Sequence, residues 1–373
     1  MNFFFKYIKF KGDPIIWIIA TFFSLFSIMV VYSTAGLLDV INHSAKLVIG
    51  IIAMYVVHLI PFKYFSKIGQ LGYYVSLLLL FLVFLIGVSV NGASRWIAIA
   101  GLQFQPSDIA KLTVILFLAR QISIYRNKIK NVKDFSIHLL LPLFLVCVLI
   151  LPNNFSTASL VFINGIVLMF LGGVKLNYIS KLFLISFLIA LSIYLLNKHS
   201  SLGKKLIPRS STWVSRVDSF FGENNEVMGK DYQQVQALVA IQNGKIQGVG
   251  PGKSQQRGVL PYSESDFIFA ILLEEYGLIG ASVLILCYLI LLFRAIKIYL
   301  RTDSIFGSLI VVGLIFSIIF QALVNMLVSV SIIPVTGQTL PLISMGGTSL
   351  VFTFISIGIV LSVSRDSLSG NYE

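Results

Sequence analysis

Long apolar runs separated by short polar breaks dominate this chain. They lie near residues 15–37, 45–60, 71–90, 107–121, 137–151, 157–172, 176–196, 267–293, 306–332 and 343–364. A helix of roughly 17–25 apolar residues matches the hydrocarbon thickness of a bilayer, so the pattern predicts about ten transmembrane helices. The runs at 45–60 and 157–172 are the shortest. The expected fold is all-α: one polytopic integral membrane domain over residues 1–373.

One connection is long, residues 197–266, between the seventh and eighth runs. Inside it, Asp231-Tyr-Gln-Gln-Val-Gln-Ala-Leu-Val-Ala-Ile241 predicts a short amphipathic helix capped by Asp231, with Val235, Leu238 and Val239 on its apolar face. A glycine-rich segment follows, Gly248-Val-Gly-Pro-Gly-Lys-Ser-Gln-Gln-Arg-Gly258. A second polar loop runs from Asn91-Gly-Ala-Ser-Arg-Trp-Ile97 to Gln105-Pro-Ser-Asp108. Connections of this length usually carry function.

Composition agrees with a membrane protein. The 373 residues are 57% hydrophobic and 12% charged, with mean hydropathy +0.91, against about 25% charged residues in soluble domains. The net charge of +13 would suit nucleic acid, but its distribution argues otherwise. Lys6, Lys9 and Lys11 precede the first run, and Lys63 and Lys67 follow the second. Arg120, Arg126, Lys128, Lys130 and Lys133 follow the fourth, Lys175 the sixth, Arg294, Lys297 and Arg301 the eighth, and Arg365 the tenth. Every second loop is basic, while the short loops between hold little beyond Asp39 and Arg95. That alternation predicts cytoplasmic termini and places the long connection outside the cell. The first run lacks a convincing small-residue cleavage site and reads as a retained helix. Cys147 and Cys287 sit in separate apolar runs as buried small hydrophobes. His43, His58, His138 and His199 show no metal-ligand spacing.

Candidate chemistry concentrates at the end of the long connection. Gly248–Ser254 looks like a phosphate loop, but it lacks the required four residues between its first glycine and Gly-Lys-Ser, and no strand precedes it. Its N–H groups and Lys253 could still cradle a diphosphate at the membrane surface; a plain flexible turn is the alternative. Ser263-Glu-Ser-Asp266 has the form of a helix capping box, so Asp266 can be structural or chemical. Glu274 and Glu275 lie deeper in an apolar run, where carboxylates are costly and are either functional or paired. Asp108 and Lys111 share one helical face and could pair with each other or with the eighth span. These charges are expected to converge on one polar cavity open to the outer face.

Taken in order, the motifs resemble the SEDS family of peptidoglycan glycan-strand polymerases over nearly the whole chain. The matching pieces are Gly92-Ala-Ser-Arg95-Trp96, Gln105-Pro-Ser-Asp108 with Lys111, Arg216, Tyr232-Gln-Gln-Val-Gln236 and Gly248–Ser254. Ser265-Asp266-Phe-Ile-Phe-Ala270, Glu274-Glu275-Tyr-Gly-Leu-Ile-Gly280, Gln321 with Asn325, Pro334-Val-Thr-Gly337 and Leu340–Ser349 complete the set. Gly337-Gln-Thr-Leu-Pro341 looks more like the division branch, FtsW, than the elongation branch, RodA. The resemblance implies lipid II as substrate, undecaprenyl diphosphate as leaving group and Asp266 as catalytic base. Arg95, Lys111, Arg216, Lys253, Ser254, Gln255, Arg257, Glu264 and Ser344 are the implied substrate contacts. It also implies a bacterial inner-membrane location, a class B penicillin-binding protein as transpeptidase partner, and other division-complex membrane proteins nearby. A divalent cation could help stabilise the diphosphate, but no ligand set is evident. A lipid II flippase and a non-catalytic division scaffold are the competing readings. The chain departs from the family pattern at Tyr262 and Asn153, where acids are common, and carries Asp108 where Glu is usual.

Overall fold

The computed structural model describes residues 11–90, 93–99, 102–199, 209–221 and 231–369. Lys6, Lys9, Gly92, Glu223 and Glu226 lie outside the described residues. Among the described residues, eight helices are long and apolar enough to cross a membrane. They are α1 (Pro14–Ala35), α2 (Leu37–Leu59), α3 (Phe65–Ile86), α5 (Val132–Ile150), α7 (Leu176–His199), α10 (Ile268–Arg301), α11 (Ile305–Ser329) and α12 (Thr348–Ser369). Two more helices, α4 (Pro106–Tyr125) and α6 (Phe155–Leu171), pack among them. α4 carries Asp108, Lys111 and Arg120 but is buried almost all round, from Leu112 through Ala119. It faces protein more than lipid, which lets it carry charged side chains along its length. Two short helices, α8 (Ser210–Phe220) and α9 (Asp231–Gly244), belong to the long connection.

Small residues let the helices approach closely, as expected where lipid offers no hydrophobic drive for association. A Cβ on Gly69 would stand 2.4 Å from Leu116 Cβ, and one on Gly358 would stand 2.7 Å from the Met54 carbonyl oxygen. Outward positions such as Ile18, Leu25, Leu71 and Leu85 are exposed, as lipid-facing side chains should be. Asp13 caps α1 by accepting from the Ile15 N–H at 2.9 Å, and it also accepts from Arg294 Nε at 2.7 Å. This ties the start of α1 to the far end of α10.

Three expectations change. The second span begins at Leu37, and Asp39 sits in its first turn rather than in a loop. Asp39, His43 and Lys46 dilute the hydropathy, but His43 is buried and its Nε2 lies 2.6 Å from Ser27 Oγ. The segment read as a polar loop folds into an antiparallel ribbon, β1 (Val88–Val90), β2 (Ala93–Ile99) and β3 (Leu102–Phe104). Helix α9 forms, but Val235 and Leu238 are exposed and its buried face is Ala237, Ala240 and Gly244. The cause is close contact: a Cβ on Gly244 would lie 1.9 Å from the Leu273 carbonyl oxygen, so only small residues fit against α10.

Candidate active site

Helix α10 is broken. Gly277 has φ 64 and ψ −165, dividing the helix into two segments. The break would strand backbone groups, and the glycine-rich segment supplies their partners. Val249 N–H donates to Glu274 O at 2.9 Å and Gly250 N–H to Glu275 O at 3.0 Å. In return, Leu278 N–H donates to Lys245 O at 3.1 Å and Ile279 N–H to Ile246 O at 3.2 Å.

The side chains of Glu274 and Glu275 fasten the same segment. Glu274 accepts from Ser254 Oγ, from Asn243 Nδ2 at 3.1 Å, and from the N–H groups of Gln255 and Gln256, each at 3.3 Å. Glu275 accepts from Ser33 Oγ, and Arg257 Nη1 donates to Ser33 O at 3.0 Å. The glycine segment thus turns its donors toward the protein's own carboxylates. Lys253, Ser254, Gln255 and Arg257 do not line the cavity described next, and neither do Glu274 and Glu275. Against the expectation from sequence, the charged residues therefore do not all converge on one cavity; they divide between this segment and the cavity.

That cavity has a volume of about 470 Å³ and is bounded by α4, the ribbon, α8, the turn before α10, and the loop joining α11 to α12. Asp266 lines it, with Arg95, Lys111, Arg209 and Arg216 as the cations and Asp108 as the other carboxylate. Lys111 Nζ pairs with Asp108 Oδ1 at 3.0 Å and reaches Gln321 Oε1 on α11 at 3.4 Å. Asp108 Oδ2 also accepts from Thr348 Oγ1 at 2.9 Å.

The capping-box reading of Asp266 fails. Ser263 Oγ donates to Arg257 O at 3.0 Å, and α10 begins only at Ile268, with no side-chain cap at Phe267. Residues 262–267 instead form a tight turn in which Tyr262, at φ 59, accepts from the N–H groups of Ser265, Asp266 and Phe267. The turn is pinned from behind. Asn325 Nδ2 donates to Asp266 O at 2.7 Å, Ser344 Oγ donates to Ser265 O at 2.6 Å, and Met345 N–H donates to Glu264 O at 2.9 Å. Ser344 and Glu264 therefore support the turn and do not line the cavity. Gly337, at φ 71, lies beside the turn, and an added Cβ would stand in ordinary contact with Asp266 Oδ2 at 3.5 Å.

Electrostatics give this carboxylate a distinct state. Burial raises the pKa of Asp266, and the neighbouring Glu264 adds to the rise. The Ser265 hydroxyl, Arg216 and Arg95 oppose it without cancelling it. The guanidiniums are perturbed in the opposite sense. Burial, then the proximity of Arg209 and Arg216, lowers Arg95 to about 10. Burial lowers Arg209 and Arg216 as well. Crowded, partly desolvated arginines make a strong anion site.

Arg209 was not singled out by sequence. Its only signal was being a cation in the long connection. Its Nη1 donates to the Asn153 carbonyl at 2.7 Å, the same oxygen that accepts from Arg95 Nε at 2.9 Å. Arg216 Nη1 donates to Val335 O at 3.0 Å. Each guanidinium is anchored by one arm to a backbone carbonyl. Among the described residues no cluster of three or more His, Cys, Asp and Glu side chains forms a cation site. Asp108 is already paired with Lys111, so the donor set does not fit a resident divalent ion.

Residues 14–368 match the FtsW/RodA/SpoVE family of cell cycle proteins. The chain belongs to that family. Stage V sporulation protein E of Bacillus subtilis is 32% identical over 328 residues, covering 86% of this chain and 85% of that protein. A probable peptidoglycan glycosyltransferase FtsW of Methylomonas methanica is 33% identical over 316 residues, covering 82% and 77%. Peptidoglycan glycosyltransferase MrdB of Escherichia coli K12 is 29% identical over 360 residues, covering 94% and 93%. The fold also superposes on a chain of a solved peptidoglycan synthase complex with a TM-score of 0.78, at 25% identity, covering 95% of this chain and 98% of that one. FtsW/RodA-family membership makes this an all-α, polytopic membrane enzyme of the glycosyltransferase type.

Proposed function

We propose that this FtsW/RodA-family protein polymerises lipid II into glycan strands, with Asp266 as general base and undecaprenyl diphosphate as leaving group. The observation that carries the reading is one half-buried carboxylate, raised in pKa, that lines one cavity together with three anchored arginines. The 4-hydroxyl of an acceptor N-acetylglucosamine gives its proton to Asp266 as its oxygen bonds to C1 of the donor sugar. The C1–O bond to the diphosphate breaks, and the electron pair leaves with undecaprenyl diphosphate. An α-linked donor giving a β-linked product needs one displacement and one base, with no covalent intermediate. Arg95, Arg209 and Arg216, with Lys111 at the cavity wall, stabilise the charge on the departing diphosphate.

Purified protein incubated with lipid II in detergent is expected to form glycan polymer. A flippase would leave lipid II unchanged there, because transport has no meaning without two compartments. We assign the protein to the division branch on Gly337-Gln-Thr-Leu-Pro341, and FtsW-type proteins are somewhat more numerous among its relatives. A class B penicillin-binding protein is the transpeptidase that would cross-link its strands. We assign ten membrane spans by counting α4 and α6, with both termini cytoplasmic in the bacterial inner membrane. A reporter fused after Lys130 should then read cytoplasmic, and one inserted at Asn225 extracytoplasmic. The reverse at both sites would overturn the orientation.

The arginines and the glycine segment are separable. Arg216→Lys keeps charge but loses the planar fork that reaches both Val335 O and an anion, and polymerisation is expected to fall about tenfold or more. Lys253→Ala should stay within about twofold of wild type, because that loop faces Glu274 and Glu275 rather than the cavity. Equal losses in both variants would return the diphosphate to the glycine segment.

The base must be ionised to act, and burial holds Asp266 protonated to higher pH than an ordinary carboxyl. The acid limb of the pH–kcat/KM profile should therefore lie above the usual carboxylate value of about 4. A limb at or below that value would exclude Asp266 as the titrating base.

A further inference from the structure

The turn before α10 carries one side chain that its own fold does not account for. Tyr262 stands at φ 59, in the left-handed region that bulky residues rarely occupy. What the turn takes from it is the carbonyl, which accepts from the N–H groups of Ser265, Asp266 and Phe267 at 3.1, 3.1 and 3.2 Å. Every amino acid supplies that oxygen, and glycine would supply it without strain. The Tyr262 side chain makes no hydrogen bond among the described residues, is 45% exposed and lines the 470 Å³ cavity. Backbone strain of this kind clusters where ligands are held.

Two aromatic side chains line that cavity among the described residues, Trp96 and Tyr262. They are not equivalent. Trp96 is half-buried, and its ring packs over Gly347, where an added Cβ would lie 3.2 Å from Cη2 and 3.3 Å from Cζ3. Tyr262 is the more open of the two.

An open aromatic face in a polar cavity suits a pyranose, whose rim is polar and whose faces carry C–H groups that the electron-rich ring attracts. Placement decides which sugar. Tyr262 and Asp266 belong to one hydrogen-bonded turn and so form one unit, whereas Arg95, Arg209 and Arg216 are anchored elsewhere, to Asn153 O and Val335 O. The base acts on the acceptor's hydroxyl, and the arginines serve the donor's diphosphate. We propose that Tyr262 is the contact for the acceptor N-acetylglucosamine, stacking on one face of the sugar so that its 4-hydroxyl meets Asp266. This inference rests on the lipid II reading above and adds to it the subsite that receives the acceptor. A platform on the same turn as the base orients the two reacting groups together.

The test gives each side of the reaction its own substrate. Lipid II methylated at the 4-hydroxyl of its N-acetylglucosamine can only donate. The disaccharide-pentapeptide methyl glycoside, which has no diphosphate, can only accept. Tyr262→Leu should raise the acceptor's KM about three- to tenfold, the worth of one aromatic contact, and leave the donor's KM unchanged. Tyr262→Phe keeps the ring and should recover most of that loss. Tyr262→Gly removes both ring and strain, so it should match the Leu variant in KM and unfold at no lower temperature than wild type. An acceptor KM unchanged in the Leu and Gly variants, a rise shared equally by the donor, or a Phe variant as impaired as Leu would overturn the inference. So would a wild-type protein that polymerises lipid II but ignores the lipid-free acceptor, because the sugar would then not be what is held. Absence of polymer from wild-type protein with lipid II would instead remove the lipid II reading itself.

Discussion

Asp266→Asn should reach normal membrane levels and yet polymerise lipid II at close to background. Asparagine has nearly the same shape, and the contacts that hold this turn are made to its backbone. Asn325 donates to the Asp266 carbonyl, Ser344 to the Ser265 carbonyl, and the Asp266 N–H goes to Tyr262 O. None of these depends on the carboxylate. Removing a half-buried charge raised in pKa also costs little stability, because its surroundings already disfavour the ionised form. The chemistry is different: the amide cannot accept the acceptor's proton, and loss of a positioned base costs about 10²–10⁴ in rate. Glu264→Gln should be far milder, since Glu264 acts on Asp266 only through its charge and supports the turn through its backbone. Polymer yield and thermal unfolding measured on the same preparations decide the matter. Full activity in the folded Asn variant would leave Asp266 without a catalytic role.

Gly277→Ala should destabilise the protein by about 3 kcal/mol or more and cost activity through the fold. A φ of 64 with ψ near −165 belongs to a region used almost only by glycine. Space is denied as well. A Cβ there would lie 2.3 Å from the Ile246 carbonyl oxygen and 2.5 Å from the Gly248 nitrogen, both backbone atoms that cannot step aside. Relieving the clash would separate residues 245–250 from the break in α10 and leave the carbonyls of Glu274 and Glu275 unpaired. Gly258→Ala is the control, because its Cβ would meet nothing within 4 Å. A lower unfolding temperature in detergent for the first variant alone is the expected result. Equal temperatures for both would mean that the break can close into regular helix at no cost.

What the sequence made legible, and what it hid, divides by the kind of interaction. Burial of apolar runs in lipid is non-directional and leaves a one-dimensional trace, so nearly every membrane helix could be placed. Boundaries slipped where polar residues enter a helix on its protein-facing side, as at Asp39 and His43. The strands β1, β2 and β3 leave no sequence signal because a ribbon this short needs no long alternating pattern. The long-loop helix was found but rotated: Ala237, Ala240 and Gly244 pack by smallness, which a search for large apolar residues reads backwards. The site was half legible. Asp266, Arg95, Lys111 and Arg216 share the cavity, whereas Glu274, Glu275 and Arg257 look equally suggestive in sequence and are spent on hydrogen bonds around the broken helix, and Lys253 lies outside the cavity lining. Nothing local separates a carboxylate that faces a cavity from one that receives three hydrogen bonds from the glycine-rich loop and a fourth from α9.

The carbonyl of Asn153 has a bearing on which substitutions the family can accumulate here. Arg95 and Arg209 both hold on to that oxygen, and every amino acid supplies one. The fixture therefore does not depend on which side chain stands at position 153, so long as the chain keeps its path through residues 151–154. The same fixture would be far harder to lose by altering the backbone: a deletion of one residue between α5 and α6 would uncouple both arginines at once. Loop length between α5 and α6 is thus expected to be held fixed independently of the side chain at position 153.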